Sequence, residues 1–130
     1  GEKKEKTGRK QILVVDDNGT ALRTMKAMLQ DRYDVALAIS GAQAMTSIGK
    51  KRPDLILLDY EMPVCDGRMT LEMIRADEDM KDIPVIFLTA INDRANIEAV
   101  LRLKPAGYFL KPAEKNRLLA EIDKILNSAK

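Results

Sequence analysis

The sequence predicts one α/β domain, a doubly wound parallel sheet with helices on both faces. Three observations carry that prediction. Short apolar runs recur along the chain, at Ile12–Val15, Leu55–Leu58, Val85–Leu88 and Tyr108–Leu110. These runs lack alternation, which suits strands covered on both faces. Helical apolar patterns fill the gaps between them, and strands that alternate with helices imply parallel strands joined by helical crossovers.

Taken in order, Ile12–Val15 is the first strand. Ala21, Leu22, Met25, Met28 and Leu29 follow at helical spacing. Tyr33, Val35, Leu37 and Ile39 alternate with Asp34, Ala36 and Ala38, which reads as a less buried strand at a sheet edge. Ser40 and Gln43 fit a capping box ahead of Ala44, Met45 and Ile48. After the Leu55–Leu58 strand, Leu71, Met73 and Ile74 mark a third helix beyond Gly67. Val85–Leu88 leads to a fourth helix over Ile97, Val100, Leu101 and Leu103, which Pro105 should end early. Tyr108–Leu110 leads to a fifth over Leu118, Leu119, Ile122, Ile125 and Leu126. That last pattern runs almost to Lys130, so no output domain is expected within these residues. The methionines read as core filler.

Composition narrows the function. A chain of 130 residues that is 45% hydrophobic and 32% charged fits a single globular domain. Residues 1–10 hold five Lys/Arg and two Glu, net +3, whereas residues 11–130 are net −1. Residues 1–10 therefore read as a basic flexible leader or an expression remnant, and 11–130 as the folded domain. The near-neutral body gives no reason to expect nucleic-acid binding. Cys65 is the only cysteine, which fits a reducing, cytoplasmic setting. No apolar run is long enough to span a membrane. Histidine is absent, which excludes imidazole bases and His-based metal sites.

The ends of the apolar runs carry the chemistry. The first closes on Asp16-Asp17, the second on Asp59, the third on Thr89-Ala90 and the fourth on Lys111-Pro112. In an open α/β sheet, ligands bind at the carboxyl ends of the strands. Carboxylates gathered there repel one another. At ~4 Å and an effective dielectric near 20, each pair costs roughly 4 kcal/mol. A divalent cation relieves that repulsion, and oxygen-only ligands suit Mg²⁺, which often bridges carboxylate to phosphoryl oxygens. Lys111 and Thr89 add donors for such a group. The chemistry expected is attack by a carboxylate on phosphorus to give an acyl phosphate.

Val15-Asp16-Asp17-Asn18, Leu58-Asp59-Tyr60-Glu61-Met62-Pro63 with Asp66-Gly67, Leu88-Thr89-Ala90 and Tyr108-Phe109-Leu110-Lys111-Pro112 together resemble the receiver domain of two-component response regulators, of the chemotaxis-regulator type. The likeness covers residue 11 to about 127. It implies a flavodoxin-like (βα)5 fold of strand order 2-1-3-4-5. It implies Asp59 as phosphoacceptor, supplied by a sensor histidine kinase or a phosphotransfer protein. Mg²⁺, replaceable by Mn²⁺, would be held directly by Asp17 and Asp59, through the backbone carbonyl of Glu61, and by Asp16 largely through water. Thr89 and Tyr108 would be the switch residues, and Lys111 would pair with the phosphoryl group across a cis Lys111–Pro112 bond. An output partner or a second copy would dock on the face of the fourth helix, fifth strand and fifth helix. Catalysis would be limited to the domain's own phosphorylation and slow dephosphorylation. Glu61 and Ile91 occupy variable positions that tune acyl-phosphate lifetime in the family, and the Glu61 carboxylate is a further candidate for reaching the metal.

Each residue also has a plainer reading. Asp16-Asp17 could cap the first helix. Met62-Pro63 and Asp66-Gly67 are turn signals in any fold. Tyr108 could be only an edge-strand aromatic. Three rival functions compete: a haloacid-dehalogenase-type phosphatase, an FMN carrier and a phosphorylation-independent interaction module. The first needs an Asp-x-Asp pair after the first strand, where this chain has Asp-Asp-Asn. The second needs a Ser/Thr/Gly phosphate loop where Asp16 and Asp17 would repel phosphate. The third is disfavoured by the full residue set.

Overall fold

The computed structural model describes residues 8–62, 66–90 and 94–128. Expectations attached to residues 1–7, Pro63, Cys65 and Ile91 fall outside the described residues. The elements run β1 (Gln11–Val15), α1 (Gly19–Leu29), β2 (Asp34–Ala38), α2 (Gly41–Lys50), β3 (Leu55–Asp59), α3 (Gly67–Ala76), β4 (Val85–Thr89), α4 (Arg94–Arg102), β5 (Gly107–Leu110) and α5 (Lys115–Ser128). The strands pair in parallel in the order β2-β1-β3-β4-β5, as expected.

Strand pleating divides the core into two layers. Successive side chains point to opposite faces, so each buried strand feeds both layers. Leu13, Val15, Ile56, Leu58 and Phe87 pack with Ala44 and Ile48 of α2, Leu71 and Ile74 of α3 and Val100 of α4. Ile12, Val14, Leu55, Leu57 and Leu88 pack with Leu22, Met25 and Leu29 of α1 and Leu118, Leu119 and Ile122 of α5. This two-sided cover is why β1, β3 and β4 read as unbroken apolar runs.

The helix starts follow from short polar side chains. Asn18 caps α1 by accepting from the Thr20 and Ala21 backbone N–H groups at 2.9 and 3.1 Å. The Asp16-Asp17 pair is therefore not the cap. Ser40 caps α2 by accepting from Gln43 N–H, and Gln43 Oε1 reaches back to Ile39 N–H at 3.1 Å. The reciprocal bond of the capping box thus lands one residue before the cap. Asp66 caps α3 by accepting from Met69 N–H at 2.9 Å.

Several expectations are corrected. β5 is an edge strand, and although Tyr108 packs toward one layer and Phe109 toward the other, its apolar run is less buried than those of β1, β3 and β4. Tyr108 and Phe109 are half-buried and Leu110 is 45% exposed. β2 is the other edge, as its alternation predicts, but its larger residues are not all covered. Ala38 is buried whereas Leu37 and Ile39 are exposed. Ala36 and Ala38 meet the layer that includes α2, and Val35 meets the opposite one. Met73 and Leu101 are also exposed, because each lies off the buried stripe of its helix. α4 stops at Arg102, and Lys104, just before Pro105, takes a left-handed φ of 56°. A following proline disfavours the right-handed helical region, so the chain leaves the helix there.

Candidate functional site

The strand register brings the expected residues together. Val15 pairs with Leu58, so Asp16 and Asp59 are the next residues at neighbouring strand ends. Asp59 pairs with Leu88, and Thr89 with Leu110, which sets Thr89 and Lys111 along the same edge. β1 lies between β2 and β3, so the β1/β3 crevice is the switch point where the connections diverge.

Asp59 ends a strand in which all five residues are buried, and it is itself only 3% exposed. Asp16 is buried beside it, whereas Asp17 is exposed. One carboxylate oxygen from each of Asp16, Asp17 and Asp59 lies within 4.8 Å of the others. Lys111 faces the two buried members. Its Nζ donates to Asp16 Oδ2 at 2.8 Å and stands 3.3 Å from Asp59 Oδ1. The second Asp16 oxygen accepts from Asn18 N–H at 2.9 Å, which turns the chain into α1. The Lys111–Pro112 bond is cis.

The charges do not balance. Two buried carboxylates share one ammonium, and the third carboxylate stands at the opening. Burial, followed by the charge of Asp16, pushes Asp59 up to about 6, although Lys111 opposes the shift. Burial works against the Lys111 ammonium, but its bond to Asp16 and the charge of Asp59 outweigh that, and its pKa is raised. The cluster therefore holds surplus negative charge that a cation would satisfy. Its donors are oxygen only, which suits a hard divalent ion such as Mg²⁺.

The Glu61 carboxylate turns away from the acidic cluster. Its backbone N–H donates to Asp59 Oδ1 at 3.3 Å. Its carboxylate crosses to the end of β4, where Oε1 accepts from Ala90 N–H at 3.2 Å and Thr89 Oγ1 at 3.4 Å. Thr89 is fully buried. Tyr108 is half-buried on β5, its phenol raised by burial and by the charge of Glu61.

Gly67, in the sequence only part of the motif and a turn signal, also contributes by close approach. A Cβ on Gly67 would lie 2.6 Å from both the Asp59 carbonyl oxygen and Tyr60 Cα. Gly67 N–H also donates to Tyr60 O at 2.9 Å. The absent side chain lets α3 start against the backbone that carries Asp59. A glycine at the first position of a helix, eight residues past a strand-end aspartate, was the available signal.

Comparison with known proteins agrees with this geometry. The family model described as the response regulator receiver domain matches residues 12–123. The DNA-binding response regulator MtrA of Mycobacterium tuberculosis is 32% identical over 117 residues, covering 89% of this chain and 50% of that protein. The chain thus spans about half the length of the curated relatives it matches. The signal receiver domain of a signal transduction histidine kinase from Syntrophus aciditrophicus superposes with a TM-score of 0.86 at 28% identity, covering 93% of this chain and 92% of that one. The chemotaxis protein CheY4 of Vibrio cholerae gives 0.82 at 26% identity, covering 89% and 98%. These matches set aside the phosphatase and flavin-carrier readings. Among the described residues, no helix is long and apolar enough to cross a membrane. With the strand order, the two helical layers and the family match in agreement, the chain belongs to the response regulator receiver domain family of two-component signalling.

Proposed function

We propose that Asp59 accepts a phosphoryl group from the phosphohistidine of a sensor kinase or phosphotransfer protein, and that the resulting acyl phosphate switches partner binding. The observation that carries this reading is the buried Asp59 carboxylate at the end of β3, with Lys111 Nζ 3.3 Å away and the oxygens of Asp16 and Asp17 within 4.8 Å. An Asp59 oxygen attacks phosphorus, the P–N bond breaks, and the imidazole leaves with its electron pair. Lys111 neutralises charge on the phosphoryl oxygens and keeps Asp16 oriented.

Asp17, Asp59 and the Glu61 backbone carbonyl would hold Mg²⁺ or Mn²⁺, with Asp16 acting largely through water. The ion supplies charge neutralisation between the carboxylates and the incoming phosphoryl oxygens. Phosphorylation adds about −1.5 to −2 charge at this sheet edge. Thr89 then turns toward the phosphoryl group and Tyr108 follows inward. The two-state equilibrium shifts because one state binds the added charge better. Exposed Leu101 on α4 and Leu110 on β5 support docking of an output partner, or of a second copy, on the α4–β5–α5 face. The receiver unit is taken to begin at Gln11, and a cytoplasmic setting goes with this chemistry. Its chemistry is limited to its own phosphorylation and slow dephosphorylation.

Borohydride reduction after incubation with acetyl phosphate and Mg²⁺ tests the assignment, because it converts an aspartyl phosphate to homoserine. Peptide mapping should find the change at position 59. Reduction at Asp16 or Asp17 instead would overturn the assignment.

A further inference from the structure

Glu61 carries an inference beyond this reading, though resting on it. Its carboxylate leaves the acidic cluster and is held at the end of the neighbouring strand by a backbone N–H at 3.2 Å and a hydroxyl at 3.4 Å. Two donors converging on one anionic oxygen are what a phosphoryl oxygen would also take. They belong to the buried Thr89, which ends the strand that pairs with β3 in the Asp59↔Leu88 register, and to Ala90 just past it. Glu61 is tied to the same place from its other end, since its backbone N–H bonds Asp59 Oδ1.

We propose that the Glu61 carboxylate is an internal stand-in for the phosphoryl group: it occupies the Thr89 and Ala90 donors in the unphosphorylated protein and must be displaced when Asp59 is phosphorylated. One set of donors cannot serve two anions at once, and two anions brought together there repel. Displacement releases Glu61 from Thr89, so the contact also holds the switch residue in its resting place. Glu61 is thus a positioning residue that biases the domain toward its resting state.

The test measures beryllofluoride affinity at saturating Mg²⁺ by calorimetry, and acetyl-phosphate uptake by intact mass, for the full chain and for Glu61→Ala and Glu61→Gln. Glu61 is exposed, so folding should be unaffected, and a urea midpoint checks it. Freeing a hydrogen-bonded donor pair should tighten beryllofluoride binding about three- to tenfold in Glu61→Ala, with Glu61→Gln between it and the parent. Uptake should quicken by a similar factor. Without any phosphoryl mimic, the Ala90 amide resonance should move in Glu61→Ala. Equal or weaker beryllofluoride binding by Glu61→Ala, or an unmoved Ala90 resonance, would overturn the proposal. If parent and variants alike bind no beryllofluoride and take no phosphoryl group, the assignment of Asp59 itself fails, and this inference with it.

Discussion

Replacing Gly67 with alanine places one methyl group where the fold has no room. The new Cβ would stand 2.6 Å from the Asp59 carbonyl oxygen, 2.6 Å from Tyr60 Cα and 3.2 Å from Phe87 Cε1. The first two are backbone atoms, which cannot rotate away, and Phe87 is fully buried with its ring edge-on to Tyr60. Either α3 or the end of β3 must shift. Overpacking of this kind costs about 1–3 kcal/mol. Alanine's better helix propensity returns at most about 1 kcal/mol of that. Gly49 supplies the control, since it is helical, exposed and has nothing within 4 Å of an added Cβ. Gly49→Ala should stabilise by about 0.5–1 kcal/mol. Urea unfolding of the three proteins reads both signs, with an unchanged slope showing that midpoints report stability. The displaced backbone is that of Asp59, so Gly67→Ala should also take up the phosphoryl group more slowly while Gly49→Ala matches the parent. A Gly67→Ala protein as stable as the parent would refute the close-approach reasoning.

Other perturbations probe the charges and the backbone. Asp59 is raised from 3.8 to about 6, so stability is highest with its carboxyl protonated, below pH 4, and falls as pH rises through 6 and the buried group ionises. Asp59→Asn should therefore gain about 1–2 kcal/mol at pH 7.5, after allowance for water at the open edge, and lose that gain as pH falls from 6 to 4; paired urea midpoints would show it. Lys111→Met leaves Asp16 and Asp59 facing each other unpaired, and should cost about 1–3 kcal/mol at pH 7.5 in the same assay, with phosphoryl uptake lost. Part of that stability should return when Mg²⁺ is added. Lys104→Gly should stabilise by about 0.5–1 kcal/mol, because Lys104 holds a φ of 56° that glycine adopts without its Cβ penalty; a lower thermal midpoint would contradict this.

What the sequence disclosed depended on the range of the interaction. β1, β3 and β4 were legible because cover on both faces leaves an uninterrupted apolar run, and Asp16, Asp59, Thr89 and Lys111 because each closes such a run. Edge behaviour was partly legible, since the alternating pattern marked β2 as an edge strand. The residues of β5 look like those of a central strand, and only its place at the end of the strand order, which the resemblance implied, accounts for their lower burial. In β2 the alternation marks the edge strand, but both faces meet core, Val35 on one side and Ala36 and Ala38 on the other, and Leu37 is left exposed. Met73 and Leu101 fit a helical period loosely enough to mislead. The direction of the Glu61 side chain was not legible, since it depends on donors at Thr89 and Ala90 that approach only through the β3/β4 register. Gly67 was visible as a turn residue, but its contact with the Asp59 carbonyl is a matter of three-dimensional approach.

The most direct test is intact mass after incubation with acetyl phosphate and Mg²⁺, beside samples containing EDTA or carrying Asp59→Asn, with a phosphohistidine donor as a second source. One added phosphoryl group is expected in the first sample and none in the other two. A phosphoryl group on Asp59→Asn, or none on the parent from either donor with Mg²⁺ shown to be bound, would contradict phosphorylation of Asp59 as the basis of the switch.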